Sequence, residues 1–198
     1  MQIETLLAAI AKGNVLKALY GNEPAVIATQ AKRYEAIVAL FKSTYGHDDA
    51  EMFSSPGRTE IGGNHTDHNY GRVLAGAVNL DNIAVAKPNG TMTVRILSSG
   101  YPQFEVDLTN LEPNKAEYFT SVALVRGISA RMKELGFNIG GFDAVIDSGV
   151  PKGSGLSSSA SFEVLSMDFF ACSPSNTKRL TNSGVNIPLI DSGKRRPA

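Results

Sequence analysis

Two stretches of this 198-residue chain gather side chains that could do chemistry. The first is Pro151-Lys152-Gly153-Ser154-Gly155-Leu156-Ser157-Ser158-Ser159-Ala160-Ser161. Its glycines let backbone N–H groups crowd an anion without Cβ clashes. Its serine hydroxyls can cap a helix, bind a phosphate oxygen or reach a metal ion. The β-type run from Phe142 to Asp147 precedes it, and the helix-compatible run Ser161-Phe162-Glu163-Val164-Leu165 follows. Strand, glycine-rich loop and helix together put the loop at a helix N-terminus. There, unpaired N–H groups and the positive end of the dipole favour a phosphate. The spacing is not that of the common P-loop, which ends in Gly-Lys-Ser/Thr, nor of the dinucleotide fingerprint, which needs a third glycine. On composition alone, a serine-glycine turn that merely caps a helix explains the stretch equally well.

The second stretch is Gly57-Arg58-Thr59-Glu60-Ile61-Gly62-Gly63-Asn64-His65-Thr66-Asp67-His68-Asn69-Tyr70-Gly71. It is dense in polar and small residues, yet it sits between apolar segments. Asn64, His65, Thr66 and Asp67 offer an amide, an imidazole, a hydroxyl and a carboxylate in succession. Such groups pair with both the donor and acceptor edges of sugar hydroxyls. Asp67 is the strongest of them, as a charged acceptor. Arg58 supplies a cation alongside. His65, Asp67 and His68 could also be read as a metal cluster, but no further ligands stand near and the glycines suit a sugar loop better. His47, next to Asp48-Asp49, reads as a surface histidine.

In this order and at this spacing, the two stretches resemble the GHMP small-molecule kinases, and within them the galactokinases. That family's sugar-binding signature has the form Gly-Arg-x-x-x-x-Gly-Glu-His-Thr-Asp-Tyr-Asn, and its phosphate loop the form Pro-x-Gly-x-Gly-Leu-Ser-Ser-Ser-Ala. The likeness runs from about Asn22 to Leu165. It implies an ATP-dependent sugar 1-kinase that converts galactose to galactose 1-phosphate, with ATP and Mg²⁺ as cofactors. It assigns galactose contacts to Asn64, His65, Thr66 and Asp67, and nucleotide phosphates to Gly153, Ser154, Gly155, Leu156, Ser157, Ser158 and Ser159. Ser159 is the implied magnesium ligand, and Arg58 the residue that stabilises the transferred phosphoryl group. Two positions depart from the pattern: Asn64 stands where the family has glutamate, and His68 where it has tyrosine. Phosphotransfer is therefore implied more firmly than the identity of the sugar, and a kinase for another sugar is one alternative. Met167-Asp168 followed by Ala171-Cys172-Ser173 is similar to the family's catalytic-aspartate segment, which makes Asp168 the candidate base. It follows Ser159 by nine residues on one helix, a rise of roughly 13 Å, so a non-catalytic galactose- and ATP-binding sensor or pseudokinase is the other alternative.

The elements that must position these residues are also legible. Ile3, Leu6, Leu7 and Ile10 predict a short amphipathic helix ended at Gly13-Asn14. A longer helix is expected from Ala25 to about Tyr45, with Tyr34, Ile37, Val38 and Phe41 as its apolar stripe and Gly46 as its stop. Met52 and Phe53 read as a short strand leading into the sugar motif. Ile83 to Ala86 reads as another strand, and the alternations around Met92–Ile96 and Phe104–Leu108 as a hairpin turned at Ser98–Pro102. A helix is expected from about Lys115 to Leu135, with Tyr118, Val122, Val125, Ile128 and Met132 on its stripe. The order argues an α+β domain, a mostly antiparallel sheet with packed helices. The resemblance implies the same fold, the GHMP-kinase N-terminal domain of the ribosomal protein S5 domain 2-like type.

Residues 1–165 are expected to form that domain. Residues 166–198 are expected to be a divergent, disordered tail, with the second GHMP domain absent and activity accordingly weak or nil. Residues 173–198 carry Lys178, Arg179, Lys194, Arg195 and Arg196 against one acid, Asp191. The formal net charge is zero, which implies neither nucleic acid nor an acidic membrane surface as partner. The lone cysteine, Cys172, cannot form an internal disulfide. There is no signal-peptide pattern and no membrane-length apolar run. The expectation is a cytoplasmic monomer whose partners are galactose and ATP.

Overall fold

The computed structural model describes residues 1–63 and 71–171. Three helices come first: α1 (Ile3–Lys12), α2 (Asn14–Tyr20) and α3 (Pro24–Tyr45). Strands β1 (Glu51–Gly62), β2 (Leu74–Pro88), β3 (Thr93–Ser98) and β4 (Phe104–Asp107) follow. A single 3₁₀ turn at Lys115–Glu117 leads to α4 (Ser121–Glu134), then β5 (Phe142–Ser148) and α5 (Ser158–Ala171). Among the described residues, no helix is long and apolar enough to cross a membrane.

The five strands make one sheet in the order β1-β2-β5-β3-β4. Only β3 and β5 pair in parallel; the other three pairs are antiparallel. The α+β class and the mostly antiparallel sheet expected from sequence are therefore what is found. Helices cover both faces. On one face, Ile83, Val85 and Val145 pack against Tyr34, Ile37, Val38 and Phe41 of α3 and against α1 and α2. On the other, Ala84, Ala86, Ala144 and Ile146 pack with Val125 and Met132 of α4 and Leu165, Phe169 and Phe170 of α5. Residues 83–86 thus alternate between two cores, and none of the four is exposed.

Local chemistry sets the element ends. Gly13 and Gly46 both take φ of 70°, the left-handed C-cap, and their N–H groups donate to Ile10 O and Lys42 O. Pro24 opens α3, where its missing N–H costs nothing. The chain departs from expectation at three places. After Gly13 it does not stay irregular but restarts as α2, which buries Leu16 and Tyr20 one turn apart. Strand β1 does not stop at Phe53; it continues through the first half of the sugar motif to Gly62. It can do so across Pro56 because β1 is an edge strand. Helix α4 starts at Ser121 rather than Lys115, because Phe119 is left-handed (φ 65°) and Thr120 caps the helix, its Oγ1 accepting from Ala123 N. Tyr118 therefore falls off the buried stripe and is half-exposed.

His47 is not a surface residue. Past the Gly46 cap the chain turns inward, and His47 packs near the rings of Phe41 and Tyr45 with its Nε2 2.8 Å from Asp143 Oδ2. Asp143 is fully buried. Burial works against its charge, but Arg95, Asn89 and His47 outweigh it and hold the carboxyl below the usual range.

Candidate functional site

The loop between β5 and α5 carries the strongest geometry. Gly153, Gly155 and Ser157 have φ of 71°, 75° and 59°. Every second residue is left-handed, the alternation from which backbone nests for anions are built. Ser157 is not a glycine, so holding it there costs about 1–2 kcal/mol, and Ser157 O takes the first helical hydrogen bond from Ser161 N at 3.0 Å. Ser154 Oγ donates to Pro151 O (2.7 Å) and accepts from Leu156 N (3.3 Å), which braces the turn from inside. The first turn of α5 carries no acidic residue, so its dipole end is left uncompensated by the chain itself. Ser159 is exposed in that first turn. Lys152 Nζ lies 4.1 Å from the centre of the Tyr101 ring, held over the β3–β4 turn.

Strand β1 meets this loop directly. Arg58 N donates to Leu156 O at 3.1 Å. A Cβ on Gly57 would lie 2.9 Å from Leu156 O and 3.2 Å from a Val150 methyl, so the approach requires glycine. Arg58 projects outward, half-exposed, and its guanidinium pairs with Glu60 two residues along the same face of β1. The next four sugar-motif residues named from sequence, Asn64, His65, Thr66 and Asp67, lie outside the described residues, as does His68 of the metal reading. What is described is their frame. Gly63 has φ 81°, and a Cβ on it would stand 2.1 Å from Arg72 O, so the two ends of the 64–70 segment meet at the end of the β1–β2 pair.

Asp168 is on α5 with Ser159, two and a half turns further on, a rise of roughly 13 Å. It is buried, on the stripe Ser161-Leu165-Asp168 at i, i+4 and i+7. Burial alone pushes its carboxyl up to about 7. Among the described residues no hydrogen bond or ion pair reaches it. The fold therefore brings Gly57, Arg58 and the phosphate loop together and leaves Asp168 well down the helix. The boundary expected at Leu165 lies inside α5, which continues to Ala171. Two residues that hold the site had no sequence signal as such. Asn82 Nδ2 donates to Ser161 Oγ (2.9 Å), and Ser161 Oγ donates to Ser55 O (2.7 Å), tying β2, β1 and α5 into one unit.

Among the described residues no group of three His, Cys, Asp or Glu could hold a metal ion. A magnesium ion at Ser159 would therefore take its charged ligands from nucleotide phosphates, the arrangement usual for this ion. The exposed hydroxyl at the mouth of an anion nest fits that role. A cavity of about 400 Å³ lies elsewhere, lined by Asp107, Asn110, Glu112, Lys115, Glu117 and Arg126 among others. Within its wall Arg126 is bidentate on Glu117.

Comparison with known proteins agrees with this geometry. Residues 123–173 match the GHMP kinases N terminal domain, and residues 39–88 match the galactokinase galactose-binding signature. A mevalonate kinase from Methanococcus jannaschii shares the fold at 17% identity, with a TM-score of 0.50 over 62% of this chain and 40% of that one. The chain is a member of the GHMP kinase family. Within that family it sides with the galactokinases. It is 36% identical over 135 residues to a galactokinase of Streptococcus suis, a span of 66% of this chain and 34% of that protein. It also superposes on the Lactococcus lactis galactokinase solved with galactose, at 32% identity and a TM-score of 0.61, over 68% of this chain and 35% of that one. The chain thus spans about a third of the length of these relatives.

Proposed function

We propose that this chain forms the sugar-signature and phosphate-loop part of a galactokinase, which transfers the γ-phosphoryl group of ATP to the anomeric hydroxyl of galactose. The observation that carries the reading is the contact of Gly57-Arg58 with Leu156. It seats the first residues of the sugar signature against the anion nest. Phosphoryl transfer asks little covalent chemistry of the protein; it asks for alignment and for charge on the phosphates to be neutralised. The N–H groups of Gly153 to Ser159 and the α5 dipole would hold the phosphates, with Lys152 swinging from Tyr101 to add a cation. Bound Mg²⁺ would neutralise phosphate charge, with Ser159 as its protein ligand. Arg58, released from Glu60, would face the transferred group. Asn64, His65, Thr66 and Asp67 would hold galactose. The division into a domain and a tail belongs to the same proposal, with the domain carried past Leu165 to the end of α5 at Ala171.

The placement of Asp168 favours a second reading, in which the chain binds both ligands and turns over neither. A base buried about 13 Å of helical rise from Ser159 cannot take a proton from a sugar held beside the nest. A coupled ADP-release assay with galactose, run beside calorimetric titration with galactose and with Mg·ATP, separates the two. Binding of both with steady ADP release supports the kinase; binding of both without release supports the second reading; binding of neither defeats both. A hexose panel tests the sugar, since Asn64 lacks the charge of the family's glutamate. Galactose ranking last would move the assignment to another hexose.

A further inference from the structure

We propose that the dipeptide Asp81-Asn82 of β2 is the positioning element of the phosphate loop, holding its two ends from opposite faces of the sheet. The inference rests on the phosphate-loop reading above. Neighbouring residues in a strand point to opposite faces, and these two are each 3% exposed. Asp81 faces the α1–α3 layer. Its Oδ1 accepts from Arg33 Nη1 (2.6 Å), and its Oδ2 from Tyr20 OH (2.5 Å) and Ser54 Oγ (2.5 Å). Its backbone oxygen accepts from Arg33 Nη2 (2.8 Å) and from Gly149 N (2.8 Å). Arg33 also grips Asp147 through Oδ2 (2.5 Å) and its carbonyl (2.9 Å). The last residues before the loop are thereby fixed. A Cβ on Gly149 would stand 3.0 Å from Asp81 O and 3.2 Å from Arg33 Nη2.

Asn82 faces α5. Its Nδ2 donates to Ser161 Oγ at 2.9 Å and reaches Ser158 O at 3.5 Å, which fixes the first turn after the loop. Between the two anchors the loop itself is held by its own turns, by Val150 and Leu156 against β1 and by Lys152 over Tyr101. The ladder register places Asn82 opposite Ser148, so both anchors sit where β5 leaves the sheet. Asn82 Oδ1 is fully buried and has no hydrogen-bond partner among the described residues. Its amide is thus held by one edge only, and that edge is the one that ties down α5.

Two variants of the full chain test this. Asn82→Asp keeps the shape and removes the N–H donor. Ser161→Ala removes the hydroxyl that Asn82 grips and adds no charge near the phosphates, so Coulomb repulsion cannot explain its effect. Calorimetry should show Mg·ATP binding at least tenfold weaker in both, with galactose affinity changed less than threefold. Hydrogen exchange without nucleotide should quicken at least tenfold over residues 150–160 and stay unchanged in α1–α3. Where Asn82→Asp fails to fold, Ser161→Ala decides alone. Unchanged exchange over 150–160 in a folded variant overturns the proposal. Quickened exchange there supports it even if the native chain binds no Mg·ATP, an outcome that would remove the kinase reading and leave the positioning role standing.

Discussion

On the α1–α3 side of the sheet, both buried carboxylates have partners. Asp81 meets Arg33, Tyr20 and Ser54, and Asp143 meets Arg95, Asn89 and His47. On the α4–α5 side the buried carboxylate is Asp168, and nothing described meets it. The two sides are also held differently. Helix α3 is clipped to β5 at its middle, by Arg33 on Asp147, and at its C-terminal end, by Tyr45 OH on Ala144 O (3.4 Å). Helix α5 is seated by rings, with Phe169 edge-on to Phe53 (5.0 Å between centroids) and Phe142 (4.9 Å), and Phe170 edge-on to Phe142 (5.2 Å). Polar clips specify one position, because a displaced buried charge is left unpaired. Ring contacts give more stabilisation per residue but tolerate small shifts. The helix that follows the glycine-rich loop therefore depends on its few polar ties for placement.

The largest effect expected from this contrast is at Arg33. Arg33→Met strips the cation from Asp81, whose side chain is 5% exposed, and from Asp147. Breaking one partner of a buried pair costs about 3–5 kcal/mol, and urea unfolding measures it. A loss under about 1 kcal/mol would mean that the polar side is no more demanding than the apolar one, and the contrast would collapse.

Asp168→Asn should act in the opposite direction. The folded-state carboxyl titrates near 7, above the ordinary aspartate value, so the folded state favours the proton. The penalty is absent below the unfolded pKa, builds as pH rises, and is complete above the folded one. Between pH ~4 and ~7 the native chain should lose up to about 4 kcal/mol that the Asn variant keeps. Urea unfolding from pH 4 to pH 8 reads this as two curves that coincide at the acid end and diverge at the other. Parallel curves would show that Asp168 does not titrate as an unpaired buried acid.

The same contrast explains what could be read in the sequence. The apolar stripe of α3 and the alternation in β3, β4 and β5 are periodic, and periodicity survives without tertiary knowledge. The order of strand, glycine-rich loop and helix was legible because the glycine and serine spacing marks the turn. The network of Arg33, Asp81 and Asp147 was not, because its members are distant in sequence and carry no local pattern. Asn82 lies just before the strand expected from Ile83, and only the approach of Ser161 gives it a role. Asp168 was legible as a carboxylate on α5, yet its burial depends on how that helix rolls onto the sheet. The parallel pairing of β3 with β5 likewise follows from the crossover through α4, not from either strand's composition.

Gly57→Ala probes the seam between the two sides. Its new Cβ would fall 2.9 Å from a backbone oxygen, Leu156 O, which cannot swing away as a side chain would. Overpacking of this kind costs about 1–3 kcal/mol. The loop should be pushed off β1, so Mg·ATP affinity should fall with stability. Lost stability at full Mg·ATP affinity would separate the seam from the nest and weaken the proposal built on it.

Tyr101→Ala is expected to have the smallest effect and to be the most selective. The ring is half-exposed and holds Lys152 from the β3–β4 turn, outside both cores. An exposed cation–π contact contributes about 0.5–1 kcal/mol, so the unfolding midpoint should move little. Yet Lys152 is the one cation on the loop itself. If Tyr101 stores Lys152 in the empty state, removing the ring frees the lysine and should leave Mg·ATP binding unchanged or slightly tighter. If the ring instead aims Lys152 at the phosphates, binding should weaken. A titration of the variant, read against the salt dependence of the native chain, decides between storage and aim. Either result leaves the anchoring by Asp81 and Asn82 untouched, because their hydrogen bonds run to α2, α3, β1, Gly149 and α5 and not to the hairpin turn that carries Tyr101.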